Sequence, residues 1–180
     1  MYEATDRIVR LREQTLRCPM MSELAGQGWG PRKGLLLAEG WIASAGQPTT
    51  RLRRTASLVY RMAHEGVVIN DHELIVGCAD LSELTEDEQR RLDELANTVR
   101  RCVPQSRGPY DHMALDYEKL IRVGLDGLIA EVEQHRKALC PQLPENVSKD
   151  EFYHGCLLEL NALKGLAGRY VAQARSMAEG

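Results

Sequence analysis

The chain is 180 residues long, 43% hydrophobic and 27% charged, with a formal net charge of −3; that length and composition suffice for a core of its own, without disulfide staples. Lys and Arg are scattered among Asp and Glu, so no basic field is available to a nucleic acid. The five cysteines are dispersed with no CxxC pair, the first residues lack the apolar stretch of a signal peptide, and no apolar run reaches about 18 residues, which points to a cytoplasmic protein with no membrane span.

Aromatic residues make up 5% of the chain. A core of Leu, Ala, Val, Ile and Met suits packed helices better than a β-sandwich. The fold expected is therefore mainly α, a helical bundle with one short β-hairpin, in a single domain over 1–180 with loops at about 20–33 and 103–111.

From Thr5 to Leu16, the apolar Ile8, Val9, Leu11 and Leu16 recur among charged residues as a weakly amphipathic helix that Pro19 cannot continue. Gly26, Gly28, Gly30 and Pro31 flank Trp29 and mark a loop; the GxGxG there follows no strand and reads as a turn. Helical spacing resumes through Leu35, Leu36, Leu37, Trp41 and Ile42. Pro48 stands at the first turn of a further helix, carried by Leu52, Ala56, Val59, Tyr60 and Ala63 until Gly66. Val67 to Ile69 and Leu74 to Val76, on either side of Asn70 and Asp71, read as the two strands of the hairpin.

Thr85 with Glu88 is a capping box for a helix reaching about Cys102, before Pro104 and Gly108 open a loop. The next helix begins near His112 to Asp116, passes through Leu120, Leu125, Leu128 and Val132, and ends before Pro141 and Pro144. Ser148 with Glu151 reads as a second capping box, opening a last helix whose apolar residues from Phe152 to Ala174 cover more than half its circumference. Such a helix expects neighbours on several sides.

No GxSxG, HxxxH or HExxH pattern occurs, so no catalytic residue, metal ligand set or cofactor is assigned. Cys78 and Cys156 read as structural thiols. The one cluster to weigh is His112 with Tyr110, Asp111, Asp116 and Tyr117 at a loop-to-helix junction, where titratable groups can converge on a ligand. The alternative is that Asp111 caps the helix and His112 points to water.

Three blocks, in order, carry a family resemblance. Gly34 to Gly77 resembles the amino-terminal region of the glycyl radical enzymes, the pyruvate formate-lyase superfamily, with Ile69, Asp71, Glu73, Leu74, Ile75, Val76 and Gly77 matching its I-x-D-D-E-L-I-V-G run. His112, Asp116, Tyr117, Lys119, Gly124, Leu125 and Gly127 match G-H-x-x-x-D-Y-x-K-x-L-x-x-G-L-x-G-I, and Phe152, Tyr153, Arg169 and Tyr170 match the F-Y and R-Y helix. The chain departs where Asp111 replaces the Gly of G-H, Cys78 replaces the usual Asn, and the stretch with the Y-W-x-G-K-T motif is missing.

The resemblance implies formate acetyltransferase, diol dehydratase or C–N lyase chemistry in anaerobic metabolism. These enzymes relay a radical from a glycine in an R-V-[SA]-G-[YF] loop to a cysteine inside a barrel, and neither motif stands in this sequence. The expectation is a truncated or degenerate domain, inactive alone, that supplies scaffold or one wall of a substrate pocket, with His112, Asp116 and Tyr110 as the candidate lining. Its expected partner is a second copy or the remainder of a glycyl-radical-enzyme-like protein. A free-standing helical interaction protein derived from that scaffold, binding a protein partner, is the alternative.

Overall fold

The computed structural model describes residues 5–17, 31–69, 76–77, 84–102, 115–140 and 142–179. They form six helices: α1 (Asp6–Arg17), α2 (Pro31–Ala43), α3 (Thr50–His64), α4 (Glu86–Cys102), α5 (Tyr117–Lys137) and α6 (Pro144–Glu179). Packing runs as a row in which α4 lies on α2, α2 on α3, α3 on α6 and α6 on α5. In α1, Ile8 and Val9 are exposed.

The centre of the core lies between α2 and α3, where Leu35, Ala38, Trp41, Leu52 and Met62 are buried. A short turn reverses the chain between these helices, and polar side chains stitch the resulting hairpin. Ser44 Oγ donates to the carbonyls of Gly40 at 2.6 Å and Arg53 at 3.2 Å, while Ser57 Oγ donates to that of Leu37 at 2.7 Å. Arg53 donates to the Trp41 carbonyl at 3.0 Å and lays its guanidinium 4.1 Å from the centre of the Trp41 ring. At Gly40 the backbones come so close that a Cβ would meet the Ser57 carbonyl oxygen at 2.8 Å.

The long helix α6, about 54 Å from its 36 residues, runs parallel to α3 and closes both of its ends. At the start of α3, Thr49 is the N-cap, accepting from the Leu52 N–H, and its hydroxyl donates to Glu151 Oε1 at 2.9 Å. At the finish, the Arg169 guanidinium donates to the carbonyls of Glu65, at 2.7 Å, and Met62. A carboxylate thus faces the positive end of α3 and a guanidinium its negative end, as the helix dipole favours. Between them, Thr55 donates to Glu159 at 2.8 Å, and Gly155 lets the two helices approach, a Cβ there standing 3.3 Å from Thr55 Oγ1.

The Ser148–Glu151 capping box is thereby corrected. Pro144 opens α6 at the first helical position, where its missing N–H costs no bond. Ser148 and Glu151 fall one turn inside the helix and serve as acceptors for α3, Ser148 from Arg51 and Glu151 from Thr49. The capping box at Thr85 does form: Glu88 accepts from the Thr85 N–H at 2.8 Å and Thr85 Oγ1 from the Glu88 N–H at 3.3 Å.

The β-hairpin is also corrected. Val67, Val68 and Ile69 have no regular structure and the described residues contain no strand, because β-branched side chains make a strand only where a second backbone completes the ladder. Leu74 and Ile75 lie outside the described residues, while Gly77 has φ +131°, a conformation that glycine adopts freely. Of the loop expected over 20–33, residues 31–33 belong to α2, which begins at Pro31; residues 20–30, like those of the loop expected over 103–111, lie outside the described residues.

Candidate functional site

Of the three candidate pocket residues, Asp116 is described and His112 and Tyr110 lie outside the described residues, as do Asp111 and Cys78. Asp116 is the N-cap of α5, its exposed carboxylate accepting from the Lys119 N–H at 2.9 Å. That bond satisfies one of the orphan donors of the helix start. Tyr117, next to it, is 63% exposed. The described residues therefore bring Asp116 to the edge of the candidate segment but into no cleft.

The stretch after Asp116 is unusual for a helix. Lys119 and Glu131 are 12 residues apart, a separation of about 18 Å along a straight helix, yet Lys119 Nζ donates to Glu131 Oε1 at 2.8 Å. The chain folds back at Gly124, where φ is +64° and ψ −177°. A second glycine lets the two arms of the fold-back pass: a Cβ on Gly127 would stand 2.6 Å from the Cβ of Val123. The Lys119 ammonium holds the Glu131 carboxyl below the ordinary carboxylate range, chiefly through their hydrogen bond.

At the other end of α5 a cleft of about 580 Å³ opens against the first turns of α6. Its apolar wall includes Leu139, Val147 and Leu157, and its polar wall Arg136, Asn146 and Asp150. Arg136 donates to both oxygens of Asp150, at 2.7 and 3.3 Å, and lies 3.3 Å from His154 Nδ1. The hydrogen bond from Arg136 holds the Asp150 carboxyl below its ordinary range. Asn146 is buried and donates to the Cys140 carbonyl at 2.9 Å. Chemically this is a closed ion pair with apolar flanks and no Ser, Thr or Cys among the lining residues; it fastens the α5–α6 hairpin, which Lys164–Asp126 fastens further along.

The side chains with the most consequential contacts do not stand out in the sequence as a group. Arg136 and Asp150 sit on separate helices, and nothing in their spacing announces a pair. Arg169 and Glu151 end up at opposite ends of α3 only because α6 is one continuous helix. Lys119 and Arg169 do carry a signal, as motif positions, without revealing their partners. Among the described residues no group of three or more His, Cys, Asp or Glu is arranged to hold a metal ion. Nor is any helix among them long and apolar enough to cross a membrane. Cys156 in α6 is half-buried, and burial pushes its thiol pKa up, away from the reactive thiolate.

Comparison with known proteins gives these features a setting. The family model described as pyruvate formate lyase-like matches residues 95–180. A (2S)-3-sulfopropanediol dehydratase from Klebsiella oxytoca is 37% identical over 68 residues, 38% of this chain and 8% of that protein. The glycerol-bound form of the B12-independent glycerol dehydratase from Clostridium butyricum superposes with a TM-score of 0.79 over 99% of this chain at 18% identity, and the chain covers 29% of it. The helical row described above is thus the fold of a helical part of that larger enzyme. Motif residues, family model and fold agree in pointing to the glycyl radical enzymes, a partial region of which this chain resembles.

Proposed function

We propose that this chain is a scaffold domain of the glycyl radical enzyme type, not competent for turnover alone, that presents one wall of a substrate pocket through the segment ending at Asp116. The observation that carries the reading is the fold match itself: 99% of the chain finds its counterpart in 29% of a dehydratase. The sequence supports it from another side, since its 180 residues contain no R-V-[SA]-G-[YF] loop from which a radical could be relayed. Both proteins matched by name are dehydratases, and the substrate class favoured for a completed pocket is therefore a small polyol, with His112 and Tyr110 as polar contacts beside Asp116. The amino-terminal position of this region in a complete enzyme, and anaerobic, cytoplasmic use, belong to the same proposal.

The reading is tested by incubating the purified chain anaerobically with an activating enzyme, S-adenosylmethionine and either glycerol or sulfopropanediol. No aldehyde product is expected. Sustained multiple turnover would overturn the assignment as a scaffold.

The alternative, an interaction protein that binds a partner through faces of the same scaffold, has one observation in its favour. Phe152, Leu163, Val171 and Met177 along α6 are between 42% and 54% exposed, more apolar surface than one helix of a finished monomer usually shows.

A further inference from the structure

The fold-back in α5 assigns a role to residues that the proposed function leaves unexplained, and the inference rests on that reading of the Asp116 segment as a pocket wall. We propose that Gly124 is a positioning residue, and that the Lys119–Glu131 ion pair is a latch which fixes where Asp116 stands relative to α6.

Three observations lead there. First, the short arm from Leu115 to Val123 is only lightly held by packing: Leu115 is 60% exposed, Tyr117 63% and Ile121 83%, and among its large apolar residues Leu120 alone is half-buried. An arm with so little apolar packing takes its direction largely from its backbone and from the polar contacts it makes. Second, the backbone device is specific, because φ +64° at Gly124 is a conformation that a side chain penalises, and Gly127 leaves the space into which Val123 turns. Third, the polar contact joins the arm to the body of α5. Lys119 Nζ lies 2.8 Å from both carboxylate oxygens of Glu131, while Asp126, on the same body segment, is tied by Lys164 to α6. The chain of contacts runs from Asp116 through the cap to Lys119, across to Glu131, and along α5 to α6.

His135 Nε2 approaches Glu131 Oε1 at 4.0 Å, from the same helix. Both latch partners are partly open to solvent, at 35% and 42% side-chain exposure, so the pair is accessible to a chemical probe.

Zero-length carbodiimide coupling of the full chain, read by peptide mass mapping, tests the geometry directly. An amide between Lys119 and Glu131 is expected, alongside one between Lys164 and Asp126 that reports on the intact α5–α6 hairpin. In Gly124→Ala the first should fall about fivefold or more, the ratio implied by the strain of an L-residue at positive φ, while the second persists. Absence of the Lys119–Glu131 amide in the wild type with the Lys164–Asp126 amide present would overturn the proposal, as would its survival at wild-type yield in Gly124→Ala. A second variant guards against a chain that misfolds on losing the glycine. Lys119→Gln should abolish deuterium-exchange protection of amides 120–123, and the charge-swapped pair Lys119→Glu with Glu131→Lys should restore it; protection that ignores both changes contradicts a latch. None of these readouts involves turnover, so a failed latch and a failed scaffold reading are told apart.

Discussion

Glu88 is where α4 is tied to α2, and its acidity converts that contact into a pH dependence. The Arg32 guanidinium, bonded to both carboxylate oxygens, and the Thr85 N–H hold the Glu88 pKa at about 2 against an ordinary 4.5. A carboxylate with a lowered folded pKa binds its proton more readily in the unfolded chain. Its stabilising contribution is therefore complete above 4.5 and is lost as pH falls from there toward about 2. Glu88→Gln should flatten the acid limb of a thermal-midpoint profile over that window and leave the neutral end shifted down but level. A variant whose midpoint still falls with the wild-type slope would mean that the Arg32–Glu88 contact is not formed in solution. Asp150 and Glu131 are depressed in the same direction by Arg136 and Lys119, so the wild-type profile should retain some slope after Glu88 is removed.

At the level of elements, the crossing of α2 and α3 leaves no room for a side chain at Gly40. A Cβ at Gly40 would lie 2.8 Å from the Ser57 carbonyl oxygen, 2.9 Å from the Tyr60 Cβ and 3.0 Å from the Ser57 Cα. Backbone cannot swing aside as a side chain can, and Gly40→Ala should cost about 1–3 kcal/mol by overpacking, despite the better helix propensity of alanine. Urea denaturation followed by circular dichroism measures it; a stability equal to wild type would show that the helices sit further apart. The helices themselves are legible from periodicity and punctuation: α1, α4 and the end of α5 fall where Pro, Gly and the Thr85–Glu88 box place them, while α2 begins inside the expected loop at Pro31 and α3 begins at Thr50 behind its cap Thr49, leaving Pro48 before the helix and not in its first turn. The features that are not legible depend on other elements. The Val67–Ile69 run has strand composition, but composition cannot supply a ladder partner. Ser148 and Glu151 have the spacing of a cap because i, i+3 neighbours share a helix face anywhere along a helix; only Pro144 distinguishes the start. The fold-back at Gly124 is visible as a motif glycine and invisible as a turn, since the hydrophobic pattern on either side remains helical. Of the candidate site, Asp116 stands at the junction where the sequence places it, yet it is Asp116 that caps the helix, whereas the sequence offers Asp111, five residues earlier, for that role.

For the whole molecule, a fold that is one part of a larger architecture carries two predictions. The exposed apolar residues of α6, together with Ile8, Val9, Leu115 and Ile121, should drive the isolated chain to associate with itself. Light scattering over a concentration series should give a mass above 20.2 kDa that rises with concentration, and Leu163→Glu with Val171→Glu should return it to the monomer. A mass of 20.2 kDa at every concentration would instead mean that the row of helices is self-sufficient. The more direct question is whether the chain can carry the radical on which the glycyl radical enzymes it resembles are built. Incubated anaerobically with an activating enzyme and S-adenosylmethionine, then frozen for electron paramagnetic resonance, the chain is predicted to show no glycyl radical doublet, and a stoichiometric doublet would contradict the account.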